Sequence, residues 1–218
     1  MSTLPPHGHP WPISFRATCI RATLYILFIA ALAQGVYVEA LHFPEVRFSE
    51  SGFTELTQSL LLLTASLLLL YTRQVLKVLP TVTLLMFAFT FSSFIREQDA
   101  HLDTYVFDGA WQLLVALIIL PILFRVIRER QRFVEEFASY ANSLSFGLFA
   151  AGFLTTYVFS RLYGRSAFWE AILQEHYLRT FKDAAEEVVE LLGYALILIA
   201  VIELTLLARR WARARSAG

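Results

Sequence analysis

The chain has 218 residues, of which 57% are hydrophobic and 17% are charged, and its formal net charge is zero. Soluble domains carry about a quarter of charged residues, and no basic domain is present that would bind nucleic acid. The single cysteine, Cys19, excludes an intramolecular disulfide and a multi-cysteine zinc site. This composition predicts an all-α, polytopic integral membrane bundle that has the lipid bilayer as its main partner.

Six apolar segments are long enough to cross a bilayer, because about 20 helical residues span a hydrocarbon core of about 30 Å. They lie at residues 22–38, 53–71, 78–95, 105–126, 140–160 and 185–208. The sequence therefore predicts a six-span membrane domain at residues 22–208. The flanking residues 1–21 form a predicted flexible tail, since proline and glycine are frequent near its start. Residues 209–218 form a basic C-terminal tail.

Charged residues divide the predicted loops into two classes. Most basic residues lie before span one, between spans two and three, after span four and after span six, whereas most acids lie at the opposite ends. Because basic loops stay in the cytoplasm, both termini are predicted to be cytoplasmic. We expect a bacterial inner membrane. An alternative is that span one is a signal peptide cleaved at Ala31-Leu32-Ala33, which would leave five spans.

The last outer loop, at residues 161–182, has a helical pattern of its own. Trp169, Leu173, Tyr177 and Phe181 recur every four residues, with polar residues on the other side. This pattern predicts an amphipathic helix that runs into span six. Its apolar stripe is expected to contact either the outer membrane interface or the rest of the protein.

Acidic side chains are concentrated at the outer ends of spans two, three, four and six. First-turn acids such as Glu55 and Asp183 are stabilised by the helix dipole and require no functional explanation. Acids deeper in a span carry insertion penalties of up to roughly 2.5–3.5 kcal/mol, so they are expected to face the interior of the bundle. We predict that five carboxylates converge on one polar site: Glu55, Glu97, Asp108, Glu187 and Glu190.

Arginine and amide side chains accompany these acids. Arg96 or Arg161 is the predicted counter-charge. Gln58 lies three residues after Glu55, and Gln112 lies four residues after Asp108, so each amide is expected to share a helix face with its acid. Asp183 begins a stripe in span six that includes Glu187 and Glu190. The sequence therefore favours a polar site beneath the outer membrane surface, with a structural ion-pair network as the alternative.

One histidine lies in each predicted outer loop: His42, His101 and His176. Three imidazoles near carboxylates are a ligand set for zinc or iron, so a divalent metal such as zinc is the candidate cofactor. The spacing of the histidines does not support a metal site, because neither H-x-x-x-H nor H-E-x-x-H occurs. The alternative is that these histidines are ordinary interface residues.

Three classes of function fit these features. The leading hypothesis is an acidic, outer-facing site for a cation or metal. In its enzymatic form, Glu97 or Glu187 activates water at the metal for attack on a lipid, with Asp108 and Glu190 as further catalytic candidates. The second class is a cation or proton transporter that uses the same carboxylates, although the inner halves of the spans are nearly all apolar. The third is a non-catalytic subunit that assembles with another membrane protein or with itself.

Overall fold

Long apolar runs without strand-like alternation form helices throughout the part of the chain that the computed structural model describes, residues 14–42 and 52–217. Residues 1–13 of the predicted tail and the connection at 43–51 lie outside it. The described residues contain no strand, which confirms the all-α class. The α-helices are α1 (Phe15–His42), α2 (Phe53–Tyr71), α3 (Pro80–Arg96), α4 (Asp99–Tyr105), α5 (Ala110–Arg128), α6 (Arg130–Ala141), α7 (Leu144–Phe153), α8 (Ser160–Tyr163), α9 (Ser166–Leu173) and α10 (Arg179–Ala217).

Four helices among the described residues are long and apolar enough to cross a membrane. They are α1, α5, α10 and α2 with its π-helical extension to Leu76. A fifth is counted if α6 and the Leu144–Tyr163 segment, which joins α7 to α8 through a π-helical turn, form one span bent by 97°. Helix α3 is apolar but has only 17 residues. The structure thus supports a multi-pass membrane protein with four or five candidate spans, and the count of six stays a prediction.

Two predicted spans begin later than the sequence suggested. Helix α5 starts at Ala110 rather than at residue 105, because the chain turns at Gly109, whose φ of 86° is a left-handed conformation that suits glycine. The predicted segment at 140–160 is not one helix. Its first residues belong to α6, and Ser143 then caps α7 by accepting a hydrogen bond from the Phe146 amide.

The terminal helices are longer than predicted. Helix α1 begins at Phe15, so residues 15–21 of the predicted flexible tail are helical. Helix α10 continues to Ala217, so the basic C-terminal residues extend the last helix. The guanidinium of Arg215 donates to the Leu76 carbonyl at 3.1 Å. This contact places the end of α10 beside the connection between α2 and α3.

Helix α10 is the centre of the bundle. In an apolar 18-residue stretch of α10, 72% of the stretch is buried inside the protein, compared with 6% of the corresponding stretch in α1 and 11% in α5. It packs against α2 and α7, while α3 packs between α2 and α5. Core side chains such as Leu62, Leu69, Ile197 and Val201 are almost inaccessible. The poorly buried helices α1 and α5 therefore form the outside of the bundle.

Polar contacts between helices define two ends of the bundle. Gln58 contacts Glu187 at one end, and the hydroxyls of Thr72 and Thr205 are 3.0 Å apart towards the other, so α2 and α10 run parallel. Helix α1 runs antiparallel to α10, because Arg21 near its start pairs with Glu203 at 2.8 Å. We call the end that contains Glu187 the acidic end and the end that contains Arg215 the basic end.

The predicted helix in the last outer loop is present only as α9, over Ser166–Leu173. Gln174 has a φ of 49°, a 3₁₀ turn follows, and Tyr177 is extended, so the predicted stripe does not continue into α10 as one helix. The Trp169 indole donates to the Tyr163 carbonyl at 2.9 Å, which ties α9 to the end of α8. Whether α9 contacts the membrane interface stays a prediction.

Helices α7 and α10 approach closely at two glycines. A Cβ atom on Gly193 would lie 1.9 Å from Thr156 Oγ1 and 3.0 Å from the Gly152 carbonyl oxygen. A Cβ on Gly152 would lie 2.7 Å from the Gly193 carbonyl oxygen. Small residues of this kind allow the backbones of membrane helices to pack directly against each other.

We expect the Gly193→Ala substitution to lower the free energy of unfolding by about 1–3 kcal/mol, because the two backbones must move apart. Denaturant unfolding in detergent micelles measures the change. Gly147→Ala is the matched control: its Cβ would have no atom within 4 Å, and alanine favours the helix. Equal stability of the two variants would show that this crossing is not tight.

Candidate functional site: an acidic cavity

A cavity of about 590 Å³ lies at the acidic end. It is lined by seven carboxylates, four basic side chains and one tryptophan, so the lining has three more acids than bases. Four of the carboxylates come from α10, α2 and α4 contribute one each, and Glu97 follows the last residue of α3. The lining residues are Glu55, Arg96, Glu97, Asp99, Trp111, Arg161, Arg179, Lys182, Asp183, Glu186, Glu187 and Glu190.

Glu190 joins three helices at the cavity wall. Its side chain is only 3% exposed. Arg96 of α3 lies 3.1 Å from Oε2, and Arg161 of α8 lies 3.0 Å from Oε1. Ser160 donates its hydroxyl proton to Oε1 at 2.9 Å. Both predicted counter-charges therefore contact the same buried carboxylate.

Glu97 belongs to the same network. Its Oε1 lies 2.8 Å from Arg96 Nη2 and accepts the hydroxyl proton of Tyr194 at 2.8 Å. Arg96 also contacts the Tyr194 hydroxyl at 3.2 Å. Because α3 ends at Arg96, Glu97 and His101 are not on one continuous helix, although they lie four residues apart in the sequence.

Glu187 has a different environment. Its Oε2 accepts a hydrogen bond from Gln58 Nε2 at 3.0 Å, and the same amide nitrogen also donates to the Glu187 backbone carbonyl. Among the described residues no basic side chain pairs with it. Gln58 is fully buried, and its amide oxygen has no partner in the part of the chain that the structure describes. Glu187 thus brings a carboxylate to the cavity wall without a neutralising cation.

The rim of the cavity contains a second group of ion pairs. Lys182 Nζ lies 2.7 Å from Glu186 Oε2, and Arg161 Nη1 lies 2.8 Å from Glu186 Oε1. Asp183 contacts Lys182 at 3.3 Å and the exposed Arg179 at 3.7 Å. These pairs neutralise the first turns of α10 and connect them to α8.

Asp108 does not join the other predicted carboxylates. It is exposed and lies before Gly109, outside α5, so the predicted shared helix face with Gln112 is wrong. Gln112 is exposed and is not part of the lining. Asp103 lies in α4 and accepts the Gly109 amide proton at 3.0 Å. The structure thus brings Glu55, Glu97, Glu187 and Glu190 to one cavity and leaves out Asp108.

The predicted three-histidine metal site is not formed. His42, His101 and His176 are all exposed and belong to α1, α4 and the 3₁₀ turn after α9. Within residues 14–42 and 52–217, no group of three or more His, Cys, Asp or Glu side chains is placed to hold a metal ion. Each histidine side chain faces away from the core, so the three imidazoles do not converge on a zinc or iron ligand set.

Several lining residues were not among the site candidates from the sequence. Lys182 and Glu186 had a detectable signal, because opposite charges four residues apart on a helix pair with each other. Tyr194, which does not line the cavity but donates to Glu97, lies seven residues after Glu187 on the same stripe, which also indicated a shared face. Asp99 and Trp111 had no such pattern, since only the packing of α4 and α5 brings them to the cavity.

A search against protein-family models, curated proteins and solved structures finds no match to this chain.

Proposed function

We propose that this protein binds a cationic ligand in the acidic cavity, at the outer surface of a bacterial inner membrane. The observation that carries the proposal is the charge of the lining, where seven carboxylates face four basic side chains. Glu187 contributes directly to this excess of acidic over basic groups, because no described basic residue pairs with it. Gln58, whose amide oxygen has no hydrogen-bond partner among the described residues, contacts Glu187 but does not itself line the cavity.

The proposed topology has six crossings, with both termini and the basic end in the cytoplasm. Two short segments support this count, because α3 connects the two ends and the Leu144–Tyr163 segment reaches the acidic end from the middle of the bundle. Helix α3 has Thr81 beside Glu136 at the basic end and Arg96 beside Glu190 at the acidic end. The Leu144–Tyr163 segment starts beside the middle of α10 and ends in the wall of the acidic cavity. Basic residues at one end then satisfy the positive-inside rule.

An organic ammonium ion is the ligand class that fits the cavity best. Trp111 contributes an aromatic face beside the carboxylates, and ammonium groups bind to such faces. A divalent metal fits less well, because the described acids and histidines do not converge as a ligand group. This also removes the main support for a metal-dependent lipid hydrolase.

Transport is less well supported than binding. Between Tyr194 and Glu203, helix α10 presents buried apolar residues such as Ile197 and Val201, with no polar group that would carry an ion along it. Glu203 itself is held by Arg21 at 2.8 Å and by the Tyr25 hydroxyl at 2.6 Å. Assembly with another membrane protein or with a second copy stays a prediction.

The binding proposal predicts that Glu187→Gln weakens cation binding by about tenfold or more, which corresponds to about 1.4 kcal/mol. The substitution keeps the shape of the side chain and removes its charge. Isothermal titration of the detergent-solubilised protein with tetramethylammonium chloride, and separately with calcium chloride, measures the affinity. We expect saturable binding of tetramethylammonium in preference to calcium.

Asp108→Asn is the matched control, because it removes an exposed acid at the same end that does not line the cavity. The control is expected to bind tetramethylammonium like the unaltered protein. The proposal fails if the unaltered protein shows no saturable binding of either cation, or if Glu187→Gln binds as tightly as the control.

A further inference from the structure

A second cavity, of about 380 Å³, lies towards the basic end between α3, α5, α6 and α7. Its volume is within the range of about 300–1,000 Å³ that is typical of ligand pockets. Apolar and aromatic side chains line it throughout, including Leu85 and Met86 of α3, Leu123 of α5, Phe137 of α6 and Phe149 of α7. Such a lining offers almost no hydrogen-bonding partner, so a polar ligand would lose its hydration without compensation.

The cavity is a cleft that runs along α3. It extends from Val82 to Phe89, which is about 10 Å along a helix. Helices α5 and α7 form its sides, and α6 closes it at the basic end, where the chain bends by 97° into the Leu144–Tyr163 segment. The buried Glu136 fixes α6 in this position by accepting the Thr81 amide proton at 2.7 Å. The cleft thus runs along the axis of α3, as an acyl chain beside a membrane helix would, and α6 lies across one end of it.

Two arginines lie at the junction of α5 and α6, two of the helices that line the cleft. Arg128 and Arg130 occupy the junction of α5 and α6, between the lining residues Leu123 and Phe133. Both are exposed, and within the described part of the chain neither forms an ion pair. Arg132, in contrast, pairs with Glu136 at 2.8 Å. The Arg128 guanidinium lies over the Phe124 ring, 5.2 Å from its centroid. Two guanidinium groups without an acidic partner among the described residues therefore lie where two cleft-lining helices meet.

We propose that this cleft binds an anionic phospholipid, with an acyl chain between α5 and α7 and the phosphate at Arg128 and Arg130. The apolar lining accepts a hydrocarbon chain, and the two guanidinium groups complement a phosphate, which arginine binds through paired hydrogen bonds. Basic pockets beside membrane helices recognise anionic headgroups in the same way. This site is separate from the acidic cavity and does not depend on its ligand.

Native mass spectrometry of the delipidated full-length protein tests the proposal. The protein is incubated in detergent with equal amounts of phosphatidylglycerol and phosphatidylcholine that have identical acyl chains. We expect the unaltered protein to retain phosphatidylglycerol over phosphatidylcholine by about fivefold or more. Arg128→Gln with Arg130→Gln is expected to remove this preference. Arg210→Gln with Arg213→Gln removes the same charge from the same end, away from the cleft, and is expected to keep it.

A second pair of variants tests the cleft itself. Leu85→Trp fills the space beside α3 and is expected to reduce retention of both lipids, whereas Leu60→Trp, on an exposed face of α2, leaves it unchanged. Equal retention of the two lipids by the unaltered protein overturns the proposal without any variant. So does a headgroup preference that survives the Arg128 and Arg130 substitutions. A dimer that Leu85→Trp converts to a monomer also overturns it, because a second copy would then fill the cleft.

Discussion

Replacing Glu190 with glutamine is expected to lower the free energy of unfolding by about 3 kcal/mol or more. The Glu190 carboxylate is almost inaccessible and lies within 3.1 Å of guanidinium nitrogens from both Arg96 and Arg161. Glutamine keeps the volume and can still accept the Ser160 hydrogen bond, so the substitution removes mainly the charge. Two guanidinium groups from different helices would then share a site that lacks the acid between them. Unfolding in mixed micelles, followed by circular dichroism, measures the loss.

Glu175→Gln is the control for this prediction, because Glu175 is exposed and forms no ion pair among the described residues. It is expected to change stability by no more than about 0.5 kcal/mol. The double variant Glu190→Gln with Arg161→Gln should be less destabilised than the sum of the two single variants, because each substitution removes the partner of the other. Additive losses would show that Arg161 and Glu190 do not interact.

Two of the predicted catalytic acids therefore have a structural explanation. Glu190 is neutralised by two arginines, and Glu97 is held by Arg96 and Tyr194. Glu187 lacks such a cation, although it lies one turn from Glu190 on the same helix. We expect substitutions at Glu190 to change mainly stability and those at Glu187 to change mainly binding. A polar stripe in the sequence could not separate these roles, since it shows which residues share a face but not which cations reach them.

The helix boundaries show where hydropathy alone predicts the start and end of a helix correctly and where it does not. The predicted span at residues 53–71 agrees with α2, because no glycine or proline interrupts the segment, and a π-helical turn then extends it to Leu76. The span predicted from residue 105 was wrong at its start, because residues 106–109 form a turn between α4 and α5 that ends in the left-handed Gly109. The bend before Leu144 was missed because the predicted span joined Tyr140 and Ala141, the last residues of α6, to α7 across the Ser143 cap. The mean hydropathy of a long segment does not reveal a break of a few residues within it.

Contacts between distant elements were outside the reach of sequence reasoning. Glu39 lies late in α1, yet its carboxylate accepts the Thr54 amide proton at 3.0 Å and so caps the start of α2. The three histidines show the opposite error, because one per outer loop suggested convergence, and the structure leaves all three exposed. In both cases, whether side chains from different elements meet depends on how those elements are oriented in the fold, which residue type does not reveal.

Replacing Glu136 with glutamine is the second large expected effect, a loss of about 2–4 kcal/mol in unfolding free energy. Glu136 is fully buried and accepts the backbone amide protons of Thr81 and Val82 at 2.7 and 3.1 Å. These are amides of the first turn of α3, which have no partner within the helix. A glutamine side chain brings no negative charge to them, and it also leaves the Arg132 guanidinium without its 2.8 Å partner.

Glu135→Gln separates this cap from a general effect of charge at the basic end. Glu135 is the neighbouring residue and is exposed, so its substitution is expected to change stability by no more than about 0.5 kcal/mol. Hydrogen exchange should show faster exchange of the Thr81 and Val82 amides in Glu136→Gln alone, because only this carboxylate accepts their protons. If exchange stays slow while stability falls, the loss comes from the Arg132 pair and not from the cap. If neither changes, α6 is held against α3 by apolar packing rather than by this carboxylate.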